Sequence, residues 1–297
     1  MTTVAIVGTG RMGSAMARAL TLAGHDVVVQ NRSPERAATL ATEIGAQSMT
    51  TPAEAAAAAD VTITMLADDA AVRTVFDGPD GLVAGAHPGA VLVDMSTVLP
   101  DTIRSVAEAV RATGAGILDA PVSGSVGLAE TGGLTVMVGG DAADLDRARP
   151  ALESLAKMIF HVGPLGAGAV MKLAVNTVIF GLNGALAEGL VLAEAAGVDR
   201  SLAYDVLAAS AVGAPFVAYK RAAFLEPDDT PVAFALELAA KDLRLISAMA
   251  DSVGQPLPQT GTNLELIRSA AAGGRADRDF ATVANELRSR RVDSPVT

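Results

Sequence analysis

No cysteine occurs in the 297 residues of this chain. That excludes disulfide bridges and thiolate metal sites, and it fits a reducing compartment. Tryptophan is also missing and aromatic residues make up only 3% of the chain, so a core must be built from aliphatic and small side chains. Basic residues are in the minority: 22 Lys and Arg against 33 Asp and Glu leave a net charge of −11. That is the wrong sign for a surface that displaces counterions from nucleic acid. Arginines do gather late (Arg275, Arg278, Arg288, Arg290, Arg291), but acids interrupt them and the expectation is a solvated tail. His25, His87 and His161 are scattered without metal-ligand spacing, so no metal is expected. The longest apolar region, Leu173 to Ala187, is broken by Asn176, Thr177 and Asn183. It is shorter than the roughly 20 residues of a bilayer span. No basic start with a cleavage site is visible. The expectation is a soluble, cytoplasmic protein without a membrane or nucleic-acid partner.

What is present is apolar: 51% of residues, with 19% charged, enough for a substantial core. Up to about residue 163, short apolar runs alternate with helical patterns. Strands are expected at Thr3–Val7, Asp26–Gln30, Val61–Leu66, Ala90–Asp94, Gly116–Asp119, Leu134–Val138 and Met158–Val162, with helices such as Pro34–Ile44 and Asp101–Ala112 between them. Such alternation indicates an α/β fold with a parallel, doubly wound sheet of the Rossmann type. After Gly163-Pro164-Leu165-Gly166 the strand signals stop. A proline-free apolar helical pattern runs from Ala167 to Ala196, and further helical patterns follow. The expected division is a nucleotide-binding domain over 1–163 and, over 164–297, a long interdomain helix with an all-helical domain. About 30 helical residues span about 45 Å, which suits burial against a second subunit in a homodimer or homotetramer. Two helices with a kink near Gly181 or Gly184 are the alternative.

The motif with the most chemistry is Val7-Gly8-Thr9-Gly10-Arg11-Met12-Gly13, G-x-G-x-x-G between a strand pattern and a helix pattern. Gly8 permits a tight turn, Gly10 lets the backbone approach a pyrophosphate, and Gly13 lets helix pack close to strand. The helix N-terminus then offers N–H groups and a positive dipole end to the phosphates. Where an Asp or Glu after the second strand would select NAD, this chain has Asn31-Arg32-Ser33. Arg32 brings a planar bidentate donor suited to a 2′-phosphate, and Ser33 adds a hydroxyl. NADP is therefore favoured over NAD. The same turn also reads as a polar helix start with Ser33 as the cap.

Two further segments stand out. Asp119-Ala120-Pro121-Val122-Ser123-Gly124-Ser125 is followed by a glycine-rich stretch whose backbone N–H groups can bind an anion. Gly166-Ala167-Gly168-Ala169-Val170-Met171-Lys172-Leu173-Ala174-Val175-Asn176 places Lys172 and Asn176 four apart, on one helix face. A lysine held near a cofactor can serve as acid or base; a lysine snorkelling to solvent is the plainer reading. Phe216, Tyr219 and Phe234 are candidates for pocket or core, and Asp68-Asp69 for a helix cap.

These motifs in this order, ending with Lys241-Asp242-Leu243, resemble those of the β-hydroxyacid dehydrogenase family, which includes 3-hydroxyisobutyrate dehydrogenases, tartronate semialdehyde reductases and glyoxylate/succinic semialdehyde reductases. The resemblance implies an active site in the cleft between a Rossmann and a helical domain. It makes Lys172 the catalytic residue, gives Ser123 and Gly124 the substrate carboxylate, and lets Asn176 place the substrate. Lys241 would lie near cofactor and substrate, and Leu66, Ala67, Ser96 and Thr97 near the nicotinamide half. The Asn31-Arg32-Ser33 turn is similar to that of NADP-preferring members. Where the family often has Ser-Gly-Gly this chain has Ser123-Gly124-Ser125, and for Asn-Asn it has Asn176-Thr177; Ser125 bears on substrate choice. The implied reaction is NADP(H)-dependent hydride transfer involving a small 3-hydroxy acid or semialdehyde. The alternatives are an imine reductase, a related class that generally lacks a lysine at the Lys172 position, and a non-catalytic NADP-binding interaction protein.

Overall fold

The computed structural model describes residues 2–290, so Arg291 lies outside the described residues. The chain divides between Leu173 and Ala174 into two compact units.

In the first unit the strands are β1 (Thr3–Val7), β2 (Asp26–Gln30), β3 (Gln47–Ser48), β4 (Val61–Thr64), β5 (Val91–Asp94), β6 (Gly116–Asp119), β7 (Val122–Ser123), β8 (Leu134–Gly140) and β9 (Ala156–Gly163). The helices between them are α1 (Arg11–Leu22), α2 (Pro34–Ile44), α3 (Pro52–Ala57), α4 (Asp69–Asp77), α5 (Leu82–Gly85), α6 (Pro100–Ala112), α7 (Val126–Glu130) and α8 (Ala142–Glu153). Side chains alternate across a strand, so each apolar run feeds two cores. Val4, Ile6, Val27, Val29 and Ile63 face α1, α2 and α8. Ala5, Val7, Val28, Leu92 and Ile117 face α3 to α6.

The sheet runs β3-β2-β1-β4-β5-β6-β8-β7, with β9 paired to β8. The first six strands are parallel, as the alternation predicts. Beyond β6 the fully parallel expectation fails. β8 lies antiparallel to β6 and to β7, and β9 returns parallel to β8. The reason is connection length: a parallel crossover needs about a dozen residues or more, whereas residues 124–133 between β7 and β8 hold only the short α7. The sequence reading also passed over β3, β7, α3, α5 and α7. For α3 the signal was local, because Thr51 and Glu54 form a reciprocal capping box ahead of Pro52.

Helix α9 (Ala167–Ala195) is one continuous helix of 29 residues, so the two-helix alternative is not adopted. The second unit holds its C-terminal part with α10 (Arg200–Ala209), α11 (Pro215–Leu225), α12 (Leu236–Ser252), α13 (Pro258–Ala271), a 3-10 turn at Phe280–Thr282 and α14 (Val283–Ser289). Helix α11, not foreseen, starts with Pro215 in its first turn. Phe280 stacks edge-on with Phe180, Phe216 and Phe234, so Phe216 and Phe234 belong to an aromatic cluster. Tyr219 packs edge-on against Phe216 but remains half exposed.

Candidate active site

Parallel pairing brings the ends of β1, β2, β4, β5 and β6 to one edge of the sheet. The register aligns Gln30 with Val7, Val7 with Thr64, Thr64 with Asp94, and Asp94 with Asp119. The segments leaving that edge are therefore the Gly8–Gly13 turn, Asn31–Ser33, Leu66–Ala67, Ser96–Thr97 and the approach to Ser123–Gly124. They come from across the sequence, yet one row of strand ends launches all of them. In an open sheet with this strand order, the crevice beyond the carboxyl ends is where ligands bind.

The three glycines differ in what they require. Gly8 has φ +100°, and a Cβ there would lie 2.4 Å from the Met65 carbonyl oxygen. A Cβ on Gly13 would lie 2.0 Å from the Gly8 carbonyl oxygen, so α1 can approach the strand only without a side chain. A Cβ on Gly10 would meet nothing within 4 Å. Gly10 precedes α1, and no side chain caps that helix. An open approach to a helix N-terminus fits a dinucleotide pyrophosphate. Arg11 and Met12 form the first turn of α1.

Asn31 ties this turn to the next: its Oδ1 accepts from the Thr9 N–H at 3.2 Å, and its Nδ2 donates to the Ser33 carbonyl at 3.2 Å. Arg32 is exposed. Ser33 stands at the N-cap of α2, but its hydroxyl makes no capping hydrogen bond. Arg36, not singled out from the sequence, stands exposed in the first turn of α2.

A buried acid organises the neighbouring loops. Asp94 Oδ1 accepts from Thr64 Oγ1 and from Ser96 Oγ, each at 2.6 Å. Ser96 Oγ in turn accepts from the Leu66 N–H at 2.9 Å. Burial pushes the Asp94 carboxyl above the usual range, against these hydrogen bonds. Asp68 caps α4 as expected, and Asp69 links it to the start of α6 through the Leu99 N–H and Thr102 Oγ1.

Ser123 lies on β7, half-buried. Gly124 has φ +145°, and a Cβ there would lie 2.7 Å from Leu134 Cδ2. Ser125, where the family pattern has glycine, uses its hydroxyl to cap α7 by accepting from the Leu128 N–H. That assigns it a structural task. Lys172 stands in the second turn of α9, half-buried. Asn176 is one turn further, and its Nδ2 donates to Asp242 Oδ2 at 2.8 Å. Lys241 Nζ lies 3.0 Å from Asp242 Oδ1, a charge contact without hydrogen-bond geometry. Asp242 was quoted from the sequence only as part of a motif; the structure makes it the partner of both Asn176 and Lys241.

The fully buried lysine is a different one. Lys220, 1% exposed, donates to both oxygens of Asp279 at 2.7 and 2.8 Å and lies 4.4 Å from the centre of the Phe280 ring. Among the described residues no group of three or more His, Asp or Glu is placed to hold a metal.

Residues 3–163 match the family described as the NAD binding domain of 6-phosphogluconate dehydrogenase. Residues 166–287 match that described as NAD-binding of NADP-dependent 3-hydroxyisobutyrate dehydrogenase. The chain is 35% identical to glyoxylate/succinic semialdehyde reductase 2, chloroplastic, of Arabidopsis thaliana, across 97% of this chain and 80% of that one. It is 36% identical to a 3-hydroxyisobutyrate dehydrogenase of Pseudomonas aeruginosa, across 98% of this chain and 100% of that one. The solved structure of Mycobacterium tuberculosis 3-hydroxyisobutyrate dehydrogenase with L-serine is similar at TM-score 0.82 and 33% identity, covering 97% of this chain and 99% of that one. Two family matches in chain order, on a sheet whose glycine turn is built for a dinucleotide, place this protein in the β-hydroxyacid dehydrogenase family of NAD(P)-dependent oxidoreductases.

Proposed function

We propose that the protein is an NADP(H)-dependent oxidoreductase that reduces a small semialdehyde or oxoacid and, in the reverse direction, oxidises the matching 3-hydroxy acid. The observation that carries this is the row of strand ends, which launches the glycine turn, the Asn31–Ser33 turn and the Ser123 segment from one edge. Gly8, Gly10, Arg11, Met12 and Gly13 hold the pyrophosphate, and Leu66, Ala67, Ser96 and Thr97 border the nicotinamide half. Arg32 and the hydroxyl of Ser33, which makes no capping hydrogen bond, would receive the 2′-phosphate, and Arg36, exposed in the first turn of α2, is a further cation for it. When bound, the nicotinamide supplies or accepts the hydride; the protein supplies position and electrostatics.

Ser123 and the backbone at Gly124 bind the substrate carboxylate, while Asn176 and Lys241 hold the substrate's other side. The Lys172 ammonium donates a proton to the substrate oxygen as it gains negative charge, and its own charge stabilises that oxygen. In oxidation, neutral Lys172 takes the hydroxyl proton. The names of the relatives support the carboxylate-bearing substrate class, and the description of the family matched by residues 166–287 supports NADP. We also assign the functional boundary to Gly163, and the protein to the cytoplasm. Exposed Val178 and Leu192 on α9 (68% and 72%) favour a homodimer or homotetramer. Helix α9 is long and apolar enough to cross a membrane by composition alone. The buried, hydrogen-bonded Asn176 and Asn183 favour a helix packed in protein instead.

The test is NADPH oxidation followed by absorbance, against glyoxylate, succinic semialdehyde, methylmalonate semialdehyde, tartronate semialdehyde and a cyclic imine. At least one of the first four is turned over, and Lys172→Ala lowers kcat by about 100-fold or more with NADPH affinity retained. Activity on the imine alone would overturn the assignment, as would full turnover in Lys172→Ala.

A further inference from the structure

Asp119 is 2% exposed, and no step above uses its side chain. Its two carboxylate oxygens reach separate donors at the start of α9. Oδ1 accepts from the Gly166 N–H and Oδ2 from the Ala169 N–H, both at 2.7 Å. The first N–H groups of a helix have no partner inside the helix, and an N-cap side chain usually supplies one. The residue before α9 is Gly166, which has no side chain to offer, so a carboxylate from a strand 47 residues away does the capping. The helix dipole favours a negative group there as well.

The fit around this contact is close. A Cβ on Gly168 would lie 2.3 Å from the Met137 carbonyl oxygen and 2.7 Å from that of Asp119. A Cβ on Gly139 would lie 2.4 Å from Asp119 Oδ1. Helix start and strand end therefore meet backbone to backbone. Asp119 ends β6 four residues before Ser123, and Ala169 precedes Lys172 by less than one helical turn.

We propose that Asp119 is a positioning residue: it clamps the first turn of α9 to the strand that leads into Ser123–Gly124, and so sets where Lys172 stands relative to the substrate carboxylate site. The proposal rests on the reading of Lys172 as proton donor. It goes beyond that reading by making the rate depend on a group that touches neither substrate nor cofactor. The Ser123–Gly124 segment keeps its own pairing to β8, so loss of the clamp displaces the lysine and leaves the carboxylate site in place. A displacement of about 1 Å in a catalytic group is enough to cost about 100-fold in rate.

The experiment compares wild type, Asp119→Asn, Lys172→Ala and the double variant, each with NADPH and with glyoxylate and succinic semialdehyde. The asparagine keeps the volume, but its amide nitrogen cannot accept, so one of the two N–H groups loses its partner. The expected result is a fall in kcat of about 30-fold or more, with substrate KM and NADPH Kd within about threefold. Because the two residues act as a unit, Asp119→Asn adds nothing further in the Lys172→Ala background. An unchanged kcat, a loss confined to KM, or a full multiplicative loss in the double variant overturns the positioning role. Full turnover in Lys172→Ala overturns the parent reading instead, so the two failures are distinguishable. If Asp119→Asn does not fold, hydrogen exchange on the wild type decides. The Gly166 and Ala169 amides are then slower than an unpartnered first-turn amide by about 100-fold or more, and fast exchange at both overturns the clamp.

Discussion

Asn176 donates its side-chain N–H to Asp242 across 66 residues of sequence, at 2.8 Å, with both side chains buried. A carboxylate only accepts, so this contact settles the orientation of the amide: nitrogen towards Asp242, oxygen away from it. In the substrate-placing role proposed for Asn176, the oxygen would be the atom that accepts from a substrate hydroxyl.

Truncating the acceptor strands a buried donor. Asp242→Ala is expected to cost about 2 kcal/mol in urea denaturation, and to lower kcat/KM for the hydroxy acid more than NADPH affinity. Asp242→Asn can rotate its carboxamide oxygen towards Asn176, so about half of that loss is expected. Equal losses in the two variants would assign the effect to the charge beside Lys241 rather than to the hydrogen bond.

Gly10 and Gly13 separate ligand binding from folding. Gly10 has φ −71° and open space where a Cβ would go, so Gly10→Ala should change stability by less than about 0.5 kcal/mol while weakening NADPH at least tenfold. Gly13→Ala drives a Cβ into the Gly8 carbonyl and is expected to lose about 1–3 kcal/mol as well. Thermal melts with and without NADPH distinguish the two patterns.

Cofactor choice is expected to follow the cation at residue 32. In Arg32→Ala the ratio of NADH to NADPH dissociation constants should fall by about tenfold or more, as a charge-assisted phosphate pair is lost. Adding Arg36→Ala should move it further. Fluorescence titration of both nucleotides measures the ratio, and an unchanged value would refute the 2′-phosphate site.

The buried pair in the second unit predicts an asymmetry. Asp279 also accepts from the N–H groups of Ala233, Phe234 and Ala281, so it keeps partners when Lys220 is removed. Lys220→Met should cost little. Asp279→Ala leaves a buried ammonium, already pushed below its usual range by burial, without its counter-charge; about 3–5 kcal/mol is expected. Chemical denaturation of the two variants provides the comparison.

Burial raises the Asp119 carboxyl to about 6 from 3.8, with the charge of Asp94 adding to the effect and the Gly166 and Ala169 N–H groups opposing it. The folded state therefore binds this proton more tightly than the unfolded chain. Its contribution to stability is fully present below pH 4 and is lost as pH rises through 6. The shift corresponds to about 3 kcal/mol across that window. In Asp119→Asn that component of the pH slope disappears, which denaturation curves at pH 4, 5, 6 and 7 would reveal.

Several features follow from the sequence by itself because their causes are local. The glycine turn is legible within ten residues, since a positive φ at Gly8 and the missing Cβ at Gly13 are properties of that segment. The alternation of β1, β2, β4, β5 and β6 is legible from apolar runs that feed two cores at once, and α2 from Pro34 at its start and Gly45 at its end. Tertiary structure decided the rest. Propensity and periodicity act over a few residues, whereas a hydrogen-bond partner is chosen by whatever packing brings near. Asp119 to the start of α9, Asn176 to Asp242, and Lys220 to Asp279 span 47, 66 and 59 residues, and no spacing rule encodes them. The sequence singled out Lys172 as the unusual lysine. Only packing revealed that Lys220 is the buried one, and that an acid at the end of β6 accepts from the first N–H groups of the helix that carries Lys172.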